Sequence, residues 1–205
     1  LHIALNCTIL KYFAKSVVIN RENTMLEKTD KTLQNSALQG ILEQEKFMIR
    51  VLFICHGNIC RSPMAEYIFK KMLEDQGLTS EFYVASAATS SEEIYNGVGN
   101  PVYPPAKREL AKHGISCSEK RAVQITRDDY ERYDLLIGMD EANIRNMKRV
   151  FGGDAKGKIH MLLEYAGIDR GIADPWYSGN FVVTYNDIVT GCEALLRYIR
   201  ENDLI

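Results

Sequence analysis

Five residues separate Cys55 from Arg61 in the run Cys55-His56-Gly57-Asn58-Ile59-Cys60-Arg61-Ser62-Pro63. A cysteine thiolate is a nucleophile, and a guanidinium is a planar fork that matches two oxygens of a phosphate. Five intervening residues let a loop wrap one tetrahedral anion with the sulfur beneath it. Val51-Leu52-Phe53-Ile54 precede the run, four apolar residues suited to a strand buried on both faces. Gly57 and Asn58 readily take left-handed backbone angles, so the turn is centred there. Ser62 is placed to cap a helix, Pro63 to take its first position, and Glu66 to lie in its first turn. A loop closing on a helix N-terminus aims N–H groups and the positive end of the helix dipole at one point. That point suits a dianion, and a cysteine there is favoured as the attacking thiolate. A lone cysteine after a strand is more often a small core residue. The surrounding strand, loop and helix signals tip the balance toward phosphoryl chemistry.

The elements that must position this loop alternate along the chain. Strands are expected at Ile49 to Ile54, Phe82 to Ala85, Tyr133 to Met139 and Lys158 to Leu163. Helices are expected at Ser62 to Gln76, Pro104 to His113 and Glu141 to Val150, with a short turn at Thr126 to Arg132. Ser86 to Val102 reads as a loop, and an irregular stretch runs to Tyr185 before a closing helix from about Asn186 to Arg200. Alternation of this kind predicts an α/β fold: one three-layer domain, a central parallel sheet of about four strands, and helices on both faces. Ligands of such sheets bind beyond the carboxyl ends of the strands, where Cys55 falls.

The run from Cys55 to Pro63 resembles the signature of the low-molecular-weight protein tyrosine phosphatases. The resemblance extends from Met48 to the C-terminus and returns at Ser86-Ala87-Ala88-Thr89-Ser90 and Asp174-Pro175-Trp176-Tyr177. It implies a cysteine-dependent hydrolase that cleaves phosphotyrosine and small aryl phosphates through a phosphocysteine. A departing tyrosyl oxygen has a pKa of about 10 and needs a proton. Read from residues alone, Asp174-Pro175 is a common turn; the resemblance makes Asp174 the general acid, with Trp176 and Tyr177 walling a crevice for a flat ring. It also implies that His56, Gly57, Asn58, Ile59, Cys60 and Ser62 form the phosphate-binding loop through their backbone. Ser62 would donate to the Cys55 thiolate, Asn58 would hold its strained turn by bonding Ser86, and Cys60 would protect Cys55 as a disulfide partner.

Two departures stand out. The loop after Ser90 carries extra residues around Tyr95-Asn96-Gly97-Val98, and Glu92 takes the crevice-rim place where animal relatives have an aromatic residue. An acidic rim disfavours acidic phosphopeptides. Protein-arginine phosphatases and thioredoxin-coupled arsenate reductases share the scaffold and are the alternatives. The former carry threonine where this chain has Ile59, and the latter need further cysteines on a mobile downstream segment, whereas Cys117 and Cys192 are isolated.

Composition bounds the rest. With 205 residues, 46% of them hydrophobic, the chain buries one substantial core. A net charge of −2 argues against nucleic acid or a polybasic membrane anchor as partner. Five cysteines without regular spacing suit free thiols in a reducing cytoplasm better than a disulfide framework. No apolar run approaches a membrane span, and no metal-ligand spacing or cofactor motif is present. Residues 1–47 are expected to be an extension, either upstream of a native start at Met48 or poorly ordered, with an appended docking helix as the alternative. The phosphatase domain is expected at 48–205, a monomer acting on phosphotyrosine proteins, a bacterial tyrosine kinase among them.

Overall fold

The computed structural model describes residues 48–205; the N-terminal extension expected over 1–47 lies outside the described residues. Strand β1 (Ile49–Cys55) pairs in parallel with β2 (Phe82–Ala88) on one side and β5 (Leu135–Gly138) on the other. Beyond β5 lies β6 (Ile159–Met161), also parallel, so the sheet order is β2-β1-β5-β6. The expected parallel sheet of four strands is therefore present, with β1 central.

The apolar run of β1 serves two cores at once. Val51, Leu52, Phe53 and Ile54 are all nearly inaccessible, because successive side chains of a strand point to opposite faces. Val51 and Phe53 join α1 (Arg61–Asp75), α2 (Pro104–Lys112) and α6 (Phe181–Glu201) through Phe69, Leu110 and Leu195. Leu52 and Ile54 join α3 (Asp129–Arg132) and α4 (Glu141–Phe151) through Tyr130 and Met147. Helices thus cover both faces, completing the three layers. Phe53 and Phe82 each meet Phe69 edge-on at 5.7 Å, the arrangement that ring quadrupoles favour.

Several boundaries differ from the expectation. Helix α1 starts at Arg61, with Cys60 at its N-cap and no side-chain cap bond. Ser62 therefore lies inside the first turn, Pro63 is the third helical residue, and Glu66 sits beyond that turn, buried rather than facing solvent. Proline is tolerated there because first-turn N–H groups have no intrahelical acceptor. Strand β2 continues to Ala88, since its register with β1 holds through Cys55↔Ala88. The stretch expected to be loop then forms a small hairpin, β3 (Ile94–Tyr95) and β4 (Val98–Gly99). Asn96 and Gly97, at φ 50° and 77°, make its two-residue turn, for which Asn-Gly is the favoured pair. Helix α6 begins at Phe181, five residues ahead of the expected start, because Asn180 caps it by accepting from Val183 N. A one-turn helix, α5 (Pro175–Ser178), occupies part of the stretch read as irregular. Among the described residues, no helix is long and apolar enough to cross a membrane.

Candidate active site

Cys55 closes β1, and the turn beyond it is held from outside. The carbonyls of Cys55, His56 and Ile59 accept from the N–H groups of Thr89, Ser90 and Tyr103 at 2.8–3.0 Å. Those bonds commit three of the loop's carbonyls to neighbouring segments, beside the N-terminus of α1. Asn58 N already donates to Cys55 Sγ at 3.3 Å.

Asn58 sits at φ 57° and is fully buried. Asparagine tolerates that left-handed turn, and its amide is fully used. Nδ2 donates to Ser62 Oγ and Ser86 Oγ, each at 2.8 Å, and Oδ1 accepts from Val123 N at 3.1 Å. Ser86 Oγ in turn donates to Glu66 Oε2 at 2.6 Å. Ser62 Oγ, already accepting from Asn58, lies 3.1 Å from Cys55 Sγ and 3.3 Å from Ala87 O. Its proton can therefore point at the sulfur, which is the polarity a thiolate needs. Ser62 is thus no helix cap; it faces the sulfur.

Arg61 is 3% exposed, yet its guanidinium faces two carboxylates. Nη1 donates to Asp140 Oδ2 and to Ile172 O, and Nη2 donates to Asp174 Oδ2. Burial opposes its charge, but the negative groups around it, Cys55, Asp174 and Asp140, hold it above its ordinary range. Asp174 itself caps α5, its Oδ1 accepting from Trp176 N at 3.0 Å while Pro175 follows at the first helical position. The segment before it is anchored to the sheet: Ile172 N donates to Met139 O at 2.7 Å. Gly171 passes so close to Asp140 that an added Cβ would lie 3.0 Å from its Cα.

These elements enclose one pocket. It is lined by the buried Cys55, Cys60, Arg61 and Ile59, by His56 and Gly57, by Glu92 and Glu93, and by Asp174, Trp176 and Tyr177. Tyr103 backs Trp176, ring centroids 5.1 Å apart. Tyr177 is 87% exposed. Burial, followed by the negative charges of Cys55 and Asp174, pushes the Cys60 thiol well up, so Cys60 stays protonated at neutral pH and does not compete as nucleophile. All the expected site residues except Asn58, Ser62 and Ser86 line the pocket, and those three form the network beneath Cys55.

Asp140, Glu66, Lys120 and the pocket-lining Glu93 were missed from the sequence. Asp140 follows β5 and caps α4 by accepting from Asn143 N, a position at a strand's carboxyl end that could have marked it. Glu66 is 4% exposed and bound by Lys70 Nζ at 2.5 Å and Lys120 Nζ at 3.2 Å, with Lys120 also donating to Ser86 O at 2.8 Å. A glutamate on the core-facing side of a helix was the signal for that cluster.

Comparison with known proteins places this architecture. The family model described as low molecular weight phosphotyrosine protein phosphatase matches residues 50–204. The chicken (Gallus gallus) low molecular weight phosphotyrosine protein phosphatase is 39% identical over 151 residues, covering 71% of this chain and 92% of its own length. The Bacillus subtilis low molecular weight protein-tyrosine-phosphatase YfkJ is 38% identical over 157 residues, 75% of this chain and 97% of that protein. The YfkJ crystal structure superposes with a TM-score of 0.71 at 37% identity, covering 76% of this chain and 96% of that one. A Drosophila arginine phosphatase superposes at 0.65 with 28% identity, over 73% of this chain and 97% of its own. With most of its length matched by the family model, and relatives at nearly two-fifths identity matched almost end to end, this chain belongs to the low molecular weight phosphotyrosine protein phosphatases.

Proposed function

We propose that this protein hydrolyses phosphotyrosine in protein substrates through a phosphocysteine. Cys55 attacks phosphorus, and Arg61 with the loop amides holds the non-bridging oxygens. Asp174 protonates the departing phenolate, then takes a proton from the water that opens the phosphocysteine. One observation carries this reading: Arg61 and Asp174, 113 residues apart in sequence, meet at the pocket that holds Cys55. Trp176 and Tyr177 beside the acid give a flat ring a wall to lie on, and Ile59 adds apolar bulk to the same pocket.

The alternatives fit less well. A cysteine relay of the arsenate-reductase kind needs mobile thiols, whereas Cys117 and Cys192 are both packed in the core and burial pushes both thiols up. For phosphoarginine, the aliphatic Ile59 offers no hydroxyl to a guanidinium. Leaving a buried donor unpaired costs about 1–3 kcal/mol, or roughly 10- to 100-fold in selectivity. Thiol-dependent chemistry is sustained in a reducing compartment, and the cytoplasm is the one we assign. There the enzyme acts as a monomer on phosphotyrosine proteins, with a tyrosine kinase as a candidate substrate.

The test is a comparison of phosphotyrosine, phosphoserine and phosphoarginine peptides with the wild type, Cys55→Ser and Ile59→Thr. The wild type is expected to favour phosphotyrosine, Cys55→Ser to keep phosphate binding but lose turnover, and Ile59→Thr to move toward phosphoarginine. Faster phosphoarginine hydrolysis by the wild type, or substantial turnover by Cys55→Ser, would overturn the assignment.

A further inference from the structure

The phosphate site offers one guanidinium, already shared by Asp140 and Asp174, and its lining adds two more carboxylates. Arg61 lies on the floor at 3% exposure, and the other cation-forming side chain lining the pocket is His56, whose Nε2 is 2.9 Å from Glu92 Oε2. Glu92 and Glu93 both line the opening. Glu92 is an exposed side chain, 72% accessible, with His56 as its partner, whereas Glu93 is partly buried against the loop. His56 holds the Glu92 carboxylate, whose acidity it increases by that bond, and Glu92 N donates to Ser90 Oγ at 3.1 Å. Glu93 Oε2 accepts from Asn100 Nδ2 at 2.7 Å. Its Cγ lies 3.0 Å from where a Cβ on Gly57 would stand, so the side chain rests directly on the phosphate-binding loop.

Both carboxylates belong to the segment between β2 and the hairpin, whose strands are pinned by Asn100 N donating to Glu93 O and Ala122 N donating to Asn100 O. Preformed charges lose little entropy on meeting a partner, and two at one rim act on the same incoming chain. Beyond them Tyr95 and Val98 stand 65% and 62% exposed. They form an apolar shelf on which the methylene stems of lysine or arginine can lie while their heads reach the carboxylates.

A phosphotyrosine entering this pocket must carry its own dianion past Glu92 and Glu93. From this we propose, resting on the phosphotyrosine reading above, that the enzyme's substrates present the phosphotyrosine between basic residues, lysine or arginine, which Glu92 and Glu93 select. The cations on the substrate offset the repulsion at the rim, while Arg61 and the loop amides receive the phosphate below. Acidic flanks add to the repulsion and are rejected.

The experiment measures kcat/KM on three phosphotyrosine peptides of one length, flanked by lysine and arginine, by alanine, or by glutamate. The basic peptide is expected to exceed the acidic one by about tenfold at low salt, with the ratio shrinking toward unity at 0.5 M salt as screening rises. In the Glu92→Gln/Glu93→Gln double variant the same ratio is expected to fall to about twofold at low salt, read within that enzyme so that changes in overall rate drop out. A wild-type ratio within twofold, or one that survives intact in the double variant, would overturn the inference while leaving the phosphotyrosine reading standing. Absence of turnover on all three peptides would remove that reading and this inference with it.

Discussion

Arg61 carries two carboxylates at once, Asp140 on Nη1 and Asp174 on Nη2. The two partners have different tasks. Asp140 is fixed at the start of α4 and aims the guanidinium, whereas Asp174 sits at the pocket mouth, where a bound phosphate competes for the same nitrogen. Asp174→Asn keeps the cap on α5 but cannot deliver a proton. It is expected to slow aryl phosphates with poor leaving groups by about 10²–10⁴, with a smaller loss for p-nitrophenol. Removal of a negative charge beside the dianion also predicts tighter inhibition by inorganic phosphate, by roughly threefold or more. A leaving-group series together with phosphate inhibition constants tests both; equal losses along the series would place the acid elsewhere.

At the scale of the element, α1 does more than present its N-terminus. It places Glu66 behind the loop, where the carboxylate accepts from Ser86 and is neutralised by Lys70 and Lys120. The chain of bonds then runs through Ser86, Asn58 and Ser62 to Cys55. Glu66→Ala leaves the buried Ser86 hydroxyl without its acceptor and removes the carboxylate that Lys70 and Lys120 share, a loss of about 1–3 kcal/mol in urea unfolding. Glu66→Gln, which keeps an acceptor oxygen, is expected to cost less. The activity of both variants should fall in the same order, and stability unchanged in Glu66→Ala would show the cluster to be dispensable. Asp154 does comparable work at the entry to β6, accepting from Tyr130 Oη, Lys158 N and Ile159 N. Burial opposes its charge, but those donors hold the carboxyl below its usual range. A depressed carboxylate stabilises above its unfolded pKa of about 3.9 and loses that contribution as pH falls through the folded value. The destabilisation caused by Asp154→Ala is therefore expected at pH 7 and should shrink below about pH 4 in denaturation measured across pH.

At the scale of the molecule, residues 48–205 close a four-stranded sheet whose faces are covered by helices of the same unit. The site uses the ends of β1 and β5, the segment after β2 and the loop before α6. A chain beginning at Met48 is expected to unfold cooperatively and to turn over p-nitrophenyl phosphate at the full rate. Loss of the cooperative transition in thermal unfolding would show that residues 1–47 complete the domain.

The fold class and the heart of the site were legible from local pattern. Val51 to Ile54 announce a strand buried on both faces, and glycine and asparagine at the following turn are dictated by backbone sterics. Those are short-range constraints, read off within a dozen residues. Helix edges were less legible. Ser62 was expected both as a cap and as the thiolate's donor, since both demand the same side chain; the loop's path removes the cap and adds Asn58 as a partner. The start of α6 was missed because Phe181 to Tyr185 is held helical by the Asn180 cap and by packing of Phe181 and Tyr185 on the core, not by periodicity. Asp140, Glu66 and Lys120 are charged residues of ordinary local context. Their roles come from long-range proximity: Arg61 reaches Asp140 across 79 residues, and Ser86 reaches Glu66 across 20. Sequence alone determined the nucleophile's setting, because a tight turn between strand and helix is written in adjacent residues. Only the tertiary structure decided which distant charges hold that turn and rim its mouth, because the parallel sheet brings strand ends together whatever their separation along the chain.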